Sequence, residues 1–270
     1  MPKKKVRNII IWSVVVLYLI ISLIFISKRE SRVGCHEIEI SVNDSLKNRF
    51  IVKNDILRLL SRKNSQIIGY SLGEINTKKL EKLVESYPSV EKADVYKTID
   101  GKLEIEVKQR DPILRVINNH NESYYIDYDG GIMPLSGKYT SHALVANGNI
   151  NEHFNLKSLS KLGSKNKVVP NAKKSLLRDL YFLAKYIYDD DFWSAQIEQI
   201  YVDANHEFKL VPRVGDQVIL LGGIDDMDEK FKKLETFYKE GLKYSGWNKY
   251  SGINLKYKNQ VVCTKRNNDD

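Results

Sequence analysis

Apolar and polar positions alternate along this chain in three successive rhythms. Ile9 to Ile26, IIIWSVVVLYLIISLIFI, runs for 18 residues without a charge. As a helix it would reach about 27 Å at ~1.5 Å per residue, nearly the thickness of a bilayer's hydrocarbon core. A mixed stretch follows. Glu37 to Val42 alternates as a strand with one buried face, and Val52, Ile56, Leu59 and Leu60 recur at i, i+4, i+7 and i+8, one face of a helix. A second helix starts at a cap on Asn76 or Thr77, carries Leu80, Leu83, Val84 and Tyr87 on its apolar stripe, and stops at Pro88. Beyond Tyr87 the rhythm is mainly that of strands.

The first pair of these strands specifies its own register. Leu103, Ile105 and Val107 alternate with Lys102, Glu104, Glu106 and Lys108, and Ala93 and Val95 share one parity in the preceding run. A two-residue Asp100-Gly101 loop would put Ala93 and Val95 on the charged face. A three-residue loop, Ile99-Asp100-Gly101 with Gly101 left-handed, sets Val95 opposite Ile105 and Ala93 opposite Val107, so this register is expected. It places Asp94 opposite Glu106, a mildly unfavourable pair. Residues 37–111 therefore read as β-α-α-β-β, two helices on a three-stranded sheet.

From Pro112 the pattern predicts strands at Ile113 to Ile117, Ser123 to Asp127 and from Ile132 onward, with turns at Asn118 to Asn121 and Tyr128 to Gly131. Asn147 to Val169 is polar and aperiodic and reads as loops. Leu176, Leu177, Leu180, Tyr181, Ala184, Ile187 and Tyr188 mark a strong helix, and the Asp189-Asp190-Asp191 run reads as its solvated end. Strands are expected over Gln196 to Val202, Glu207 to Val211 and Gln217 to Leu221. Asp225 and Asp226 offer an N-cap to a helix carrying Met227, Phe231, Leu234, Tyr238 and Leu242. Gly252 to Tyr257 and Gln260 to Thr264 close the pattern. The fold class is α+β: one N-terminal transmembrane helix, a β-α-α-β-β domain, then a mainly antiparallel β domain with helices, in residues 112–264.

Charge sharpens the reading of the first stretch. The formal net charge is +9, but Lys3, Lys4, Lys5, Arg7, Lys28 and Arg29 precede any acidic residue, so residues 30–270 hold only +3, nine less six. An excess gathered around an apolar span is a membrane signature rather than a nucleic-acid footprint. SKRESR follows the span in place of a small-x-small cleavage site, so an uncleaved anchor is expected. The expected organisation is a cytoplasmic tail (1–8), the span (9–26), a linker (27–36), the two domains, and a polar tail (265–270). The basic flank puts the N-terminus in the cytoplasm and the remainder outside it.

Chemistry-bearing residues form no catalytic constellation. His36, His120, His142, His153 and His206 are scattered, without H-E-x-x-H or a Cys/His set, so neither metal nor cofactor is indicated. Asp127, Asp129 and Gly130 match only part of a calcium loop and suit a turn better. Gly222-Gly223 lacks the lysine and spacing of a phosphate loop, and no instance of G-x-S-x-G or S-x-x-K in the soluble part is convincing as a nucleophile signature. Cys35 and Cys263 lie far apart in sequence, and nothing places them together.

Several motifs nevertheless occur in an order that is specific. Pro88, Val90, Ala93 and Val95 followed by Leu103, Ile105, Val107, Arg110 and Pro112 fit P-x-V-x-x-A-x-V and L-x-I-x-V-x-x-R-x-P. Tyr125-Ile126-Asp127-x-x-Gly130 comes next, and Ile253-Asn254-Leu255-Lys256-Tyr257 resembles a closing V-D-L-R-Y, with Asn254 and Lys256 departing from Asp and Arg. With the anchor, these resemble the FtsQ/DivIB family of bitopic bacterial cell-division proteins, whose first extracytoplasmic unit is a polypeptide-transport-associated (POTRA) domain. The resemblance implies a non-enzymatic scaffold of the septal cell-wall machinery, with FtsB- and FtsL-type partners and strand addition at a C-terminal edge. By motif position it points to Leu255, Lys256 and Tyr257, with Lys258 and Asn259 beyond. POTRA-like units also serve in translocation, so a periplasmic polypeptide-handling or export module is the competing reading.

Overall fold

The computed structural model describes residues 10–22, 33–43, 49–62, 67–153 and 175–266, and the chain divides into two compact units, Met1–Gln109 and Arg110–Asp270. Residues 10–22 are helical (α1), and their apolar side chains from Ile10 to Ile21 are largely exposed. Residues 9 and 23–26 of the expected span lie outside the described residues. Among the described residues, no helix is long and apolar enough to cross a membrane.

The first unit also contains β1 (Glu37–Asn43), α2 (Lys53–Arg62), a 3-10 turn (Leu72–Glu74), α3 (Thr77–Glu85), β2 (Val90–Lys97) and β3 (Lys102–Gln109). The sheet order is β1-β3-β2, with β1 parallel and β2 antiparallel to β3. The expected hairpin register is the one observed: Val95 faces Ile105, Ala93 faces Val107 and Asp94 faces Glu106, and Gly101 has φ 95. Leu103, Ile105 and Val107 are fully buried with Ile56, Leu60 and Val84 of the helices. Each such side chain contributes about 1.5–3 kcal/mol, which a slip of one residue would forfeit along the whole face.

One detail of the helices differs from the pattern, and one settles a choice it left open. Val52 is exposed and precedes α2, where its N–H donates to Asp55 Oδ2 at 3.1 Å. Asn76, not Thr77, caps α3, with Oδ1 accepting from Lys79 N at 3.0 Å. Buried Gln109 then ties the sheet's far end to the loop before α2: its Oε1 accepts from Ile51 N at 3.0 Å and its Nε2 donates to Asn43 O at 3.4 Å.

The second unit holds β4 (Pro112–Ile117), β5 (Ser123–Asp127), β6 (Ile132–Pro134), β7 (Leu144–Gly148), α4 (Leu176–Tyr188), α5 (Asp191–Gln196), β8 (Ile197–Val202), β9 (Phe208–Pro212), β10 (Val218–Gly222), α6 (Met227–Thr236), β11 (Tyr250–Asn254) and β12 (Val262–Lys265). Its nine strands form one sheet in the order β12-β11-β10-β9-β8-β7-β4-β5-β6. The sheet is mixed: β4/β7, β7/β8 and β10/β11 are parallel and the other pairs antiparallel. Leu180, Ala184 and Ile187 of α4 and Phe231 and Leu234 of α6 share one core with Val116, Ile200, Leu210, Ile219 and Ile253 of the strands.

Two elements of this unit depart from the pattern. β7 falls partly in the stretch expected to be loops. Only Ala146 of its five residues is buried, so it has no alternation to display. In the Asp189 to Asp191 run, Asp190 starts a new helix: its Oδ1 accepts from Phe192 N and Trp193 N, both at 2.9 Å. α5 thereby turns Trp193 into the core, edge-on to Phe231 at 5.1 Å between ring centroids. Most of the aperiodic stretch, 154–174, lies outside the described residues.

Candidate partner-binding edge

The last two strands are joined by residues 255–261, and that connection is heavily tied down. Leu255 is fully buried and its N–H donates to Leu220 O at 3.0 Å, continuing the parallel pairing of β11 with β10 by one residue. Lys233 reaches across from α6, and its Nζ donates to Leu255 O at 3.3 Å and Tyr257 O at 2.7 Å. These carbonyls leave the ladder and would otherwise need water, so the lysine is a clamp on the turn. Lys256 N donates to Asn254 Oδ1 at 3.0 Å, and Lys256 Nζ meets both carboxylate oxygens of Glu207 at 2.9 and 2.8 Å. The Glu207 carboxylate holds the Lys256 ammonium above its ordinary pKa. Asn259 takes the left-handed φ of 57 that reverses the chain, a conformation Asn tolerates.

β12 then returns antiparallel to β11, with Asn254 opposite Val262 and Ile253 opposite Cys263. Arg266 fastens the far end: its N–H donates to Lys249 O at 3.0 Å and its guanidinium to Asp216 Oδ2 at 3.0 Å. The direction of the amides follows from strand alternation. Leu255 addresses β10, so Asn254 and Gly252 address β12; Val262, Thr264 and Arg266 answer them, and Cys263 and Lys265 turn their N–H and C=O away from β11. Among the described residues, no strand lies on that side.

The edge is soluble but not polar throughout. Val262, Thr264 and Lys265 are exposed, whereas Cys263 is partly buried against the core, which raises its thiol pKa. Beside the connection, a groove of about 550 Å³ is lined by Glu229 and Lys233 of α6, Phe237 of its continuation, and Asn259 and Val261 of the connection. An extended peptide pairing with β12 would find main-chain partners at Cys263 and Lys265.

The sequence-derived site residues fall beside this edge rather than on it. Leu255, Lys256, Tyr257, Lys258 and Asn259 were expected in the terminal edge strand, but β11 ends at Asn254 and is flanked on both sides, so these five form the connection instead. Leu255 is core, Lys256 is engaged by Glu207, and Tyr257 is half exposed. The edge itself, Val262 to Lys265, had been read only as a further strand. Its β-branched Val and Thr signal a strand, but no local signal says which strand lies outermost.

The other signature residues meet at the opposite end of the sheet. Arg110 Nη1 lies 2.6 Å from Asp127 Oδ2, and Asp127 Oδ1 accepts from Gly131 N at 2.6 Å and Asp129 N at 3.0 Å. Burial pushes the Asp127 carboxyl above its ordinary pKa, against the pull of Arg110 and the Gly131 N–H. A Cβ on Gly131 would strike both partners of the pair, which accounts for glycine there. Asp127 is thus a structural residue of a turn rather than an ion ligand. Among the described residues, no group of three His, Cys, Asp or Glu is arranged to hold a metal.

Comparison with known families accords with both units. Residues 33–108 match a family described as a POTRA-like domain. No curated protein matches the chain. Residues 111–264, more than half of the chain, match the family described as FtsQ/DivIB, C-terminal related. A match of that extent, on a mixed sheet that carries the Asp127 signature in β5 and Ile253 and Asn254 in β11, places this chain in the FtsQ/DivIB family.

Proposed function

We propose that this protein is a non-enzymatic scaffold of bacterial cell division, anchored in the cytoplasmic membrane by residues 9–26. Its N-terminus is cytoplasmic and residues 37–264 are extracytoplasmic, at the septum. It recruits FtsB- and FtsL-type partners to septal cell-wall synthesis by adding a partner strand to β12. Family membership supports the division role, and the apolar stretch with its basic flank supports the anchor. The observation that carries the mechanism is the outermost position of β12, with Cys263 and Lys265 presenting their amides outward. Leu255 to Asn259 serve this edge by holding the turn that sets its position, with Tyr257 exposed beside the partner strand.

The test is to remove outward hydrogen bonding without removing the strand. Proline is tolerated on an edge strand where its nitrogen faces away from the sheet. Lys265→Pro and Cys263→Pro in the full-length protein are expected to abolish co-purification of FtsB- and FtsL-type partners while thermal unfolding stays cooperative. Undiminished recovery with both variants would refute strand addition at β12.

A further inference from the structure

Three exposed apolar side chains lie on the loops of the first unit that are bonded to residues 33–36. Residues 33–36 are bonded on one side to residues 69–72, through Cys35 N to Tyr70 O at 2.8 Å, Gly69 N to Cys35 O at 2.7 Å and Leu72 N to Val33 O at 2.9 Å. On the other side His36 N donates to Gly101 O, in the β2–β3 loop, at 3.0 Å. The two loops bonded to residues 33–36 therefore carry Ile68 and Tyr70 on one side and Ile99 on the other. Ile99 is 97% exposed, Ile68 58% and Tyr70 48%.

Local structure does not call for these residues. Gly69 and Gly101 already supply the positive φ that each reversal needs. Turn positions favour Asn, Asp, Gly or Ser, and a β-branched side chain has no role in the β2–β3 loop. A fully exposed isoleucine at a hairpin tip gains stability only from something outside the unit.

The chain's own length indicates what that is. Six residues, 27–32, separate the apolar stretch from Val33. At ~3.5 Å per residue they reach at most about 25 Å, so a spanning anchor keeps this end of the unit close to the bilayer surface. A tethered surface needs little intrinsic affinity, because the tether supplies a high effective concentration. Tyr is also suited to the headgroup layer, where its ring is buried and its hydroxyl stays wet.

We infer that Ile99, with Ile68 and Tyr70, docks the start of the POTRA-like unit onto the phospholipid surface of the membrane that holds the anchor. Ile99 enters deepest and Tyr70 sits at the headgroups. This inference rests on the anchor reading above, and docking would fix the orientation of the unit's sheet relative to the membrane.

Full-length protein in phosphatidylcholine–phosphatidylglycerol vesicles provides the test, in a Cys263→Ser background where Cys35, 1% exposed, is shielded from labelling. Nitroxides at Ser13→Cys, Ile99→Cys and Lys92→Cys, the last at the other end of β2, are compared by their relative accessibility to oxygen and to a water-soluble nickel chelate. The expected result is a bilayer signal at residue 13, an interfacial one at residue 99 and an aqueous one at residue 92. An aqueous signal at residue 99 with a bilayer signal at residue 13 overturns the docking and leaves the anchor standing. An aqueous signal at residue 13 overturns the anchor and the docking with it. As a second readout, Ile99→Glu should move a label at Ile68→Cys into water; an unchanged depth there refutes Ile99 as the docking residue.

Discussion

Two edge strands of this protein, β2 in the first unit and β12 in the second, are finished in opposite ways. On β2, the amides of Ala93 and Val95 turn away from β3 and are met by the unit's own helix: Glu85 Oε1 accepts from Ala93 N at 3.5 Å and Glu81 Oε1 from Val95 N at 3.3 Å. The two carboxylates stand one turn apart on α3, matching the two-residue spacing of the outward amides. On β12, no helix among the described residues meets Cys263 and Lys265 at that position, and the nearby α6 spends its Lys233 on the turn instead. The far edge of the same sheet, β6, is blunted differently, being three residues long and ending in Pro134. Exposure alone does not make an edge into a docking site. What distinguishes β12 is that its outward amides were left alone while the turn before it was fixed.

The largest expected effect comes from loosening the closed end of the large sheet. Arg110→Ala leaves the buried Asp127 carboxylate without its cation, at a cost of about 3–5 kcal/mol at neutral pH by chemical denaturation. The sign of the pH dependence follows from the direction of the shift. Burial already raises the folded-state pKa of Asp127, and loss of Arg110 raises it further. The penalty should therefore be absent below the unfolded carboxyl pKa and grow as pH rises through the folded one. A cost that does not shrink in acid would show that Arg110 acts by packing and not by charge.

Next in size, Cys263→Pro and Lys265→Pro are each expected to weaken partner binding on the order of 10²-fold, which is about 3 kcal/mol. Both should leave the unfolding midpoint nearly unchanged, in contrast to Thr264→Pro, whose amide addresses β11 and whose substitution should destabilise the hairpin. Equal behaviour of the three variants would erase the distinction between outward and inward amides.

The closed edge can be opened deliberately. Glu81→Ala with Glu85→Ala removes both acceptors from β2 and should cost about 1 kcal/mol, since a net hydrogen bond is worth ~1 kcal/mol and these are long. The informative readout is exchange of the Ala93 and Val95 amides, expected to accelerate selectively. Unchanged exchange would mean that the carboxylates do not protect this edge. The smallest effect should come from Lys233→Met, which keeps the stem but releases the carbonyls of Leu255 and Tyr257. Partner affinity should fall roughly threefold, about 0.7 kcal/mol, with the fold intact.

The sequence was most legible where a pattern has one solution. The β2–β3 register could be read because Leu103, Ile105 and Val107 share a fully buried face, and because only a three-residue loop keeps Ala93 and Val95 on it. β7 could not be read: its neighbours β4 and β8 supply the pairing, and LVANG itself carries one buried side chain. α5 was hidden in an acidic run whose second residue turned out to be a cap. The candidate site was half legible. Ile253 to Tyr257 marked β11 and the connection after it, but being outermost is a relation between strands, and both KYK and VCTK offer exposed, partly β-branched or charged positions. Nor does local sequence reveal that Lys233, more than twenty residues upstream, holds the turn, or that Glu207 engages Lys256.

The central claim, that β12 is the edge a partner strand joins, is tested most directly by amide hydrogen exchange of the full-length protein with and without the proposed FtsB-type partner. Binding is predicted to slow exchange at Cys263 and Lys265 strongly while Val262 and Thr264, already bonded to β11, change little. Partner binding that leaves the Cys263 and Lys265 amides exchanging as in the free protein would contradict the account.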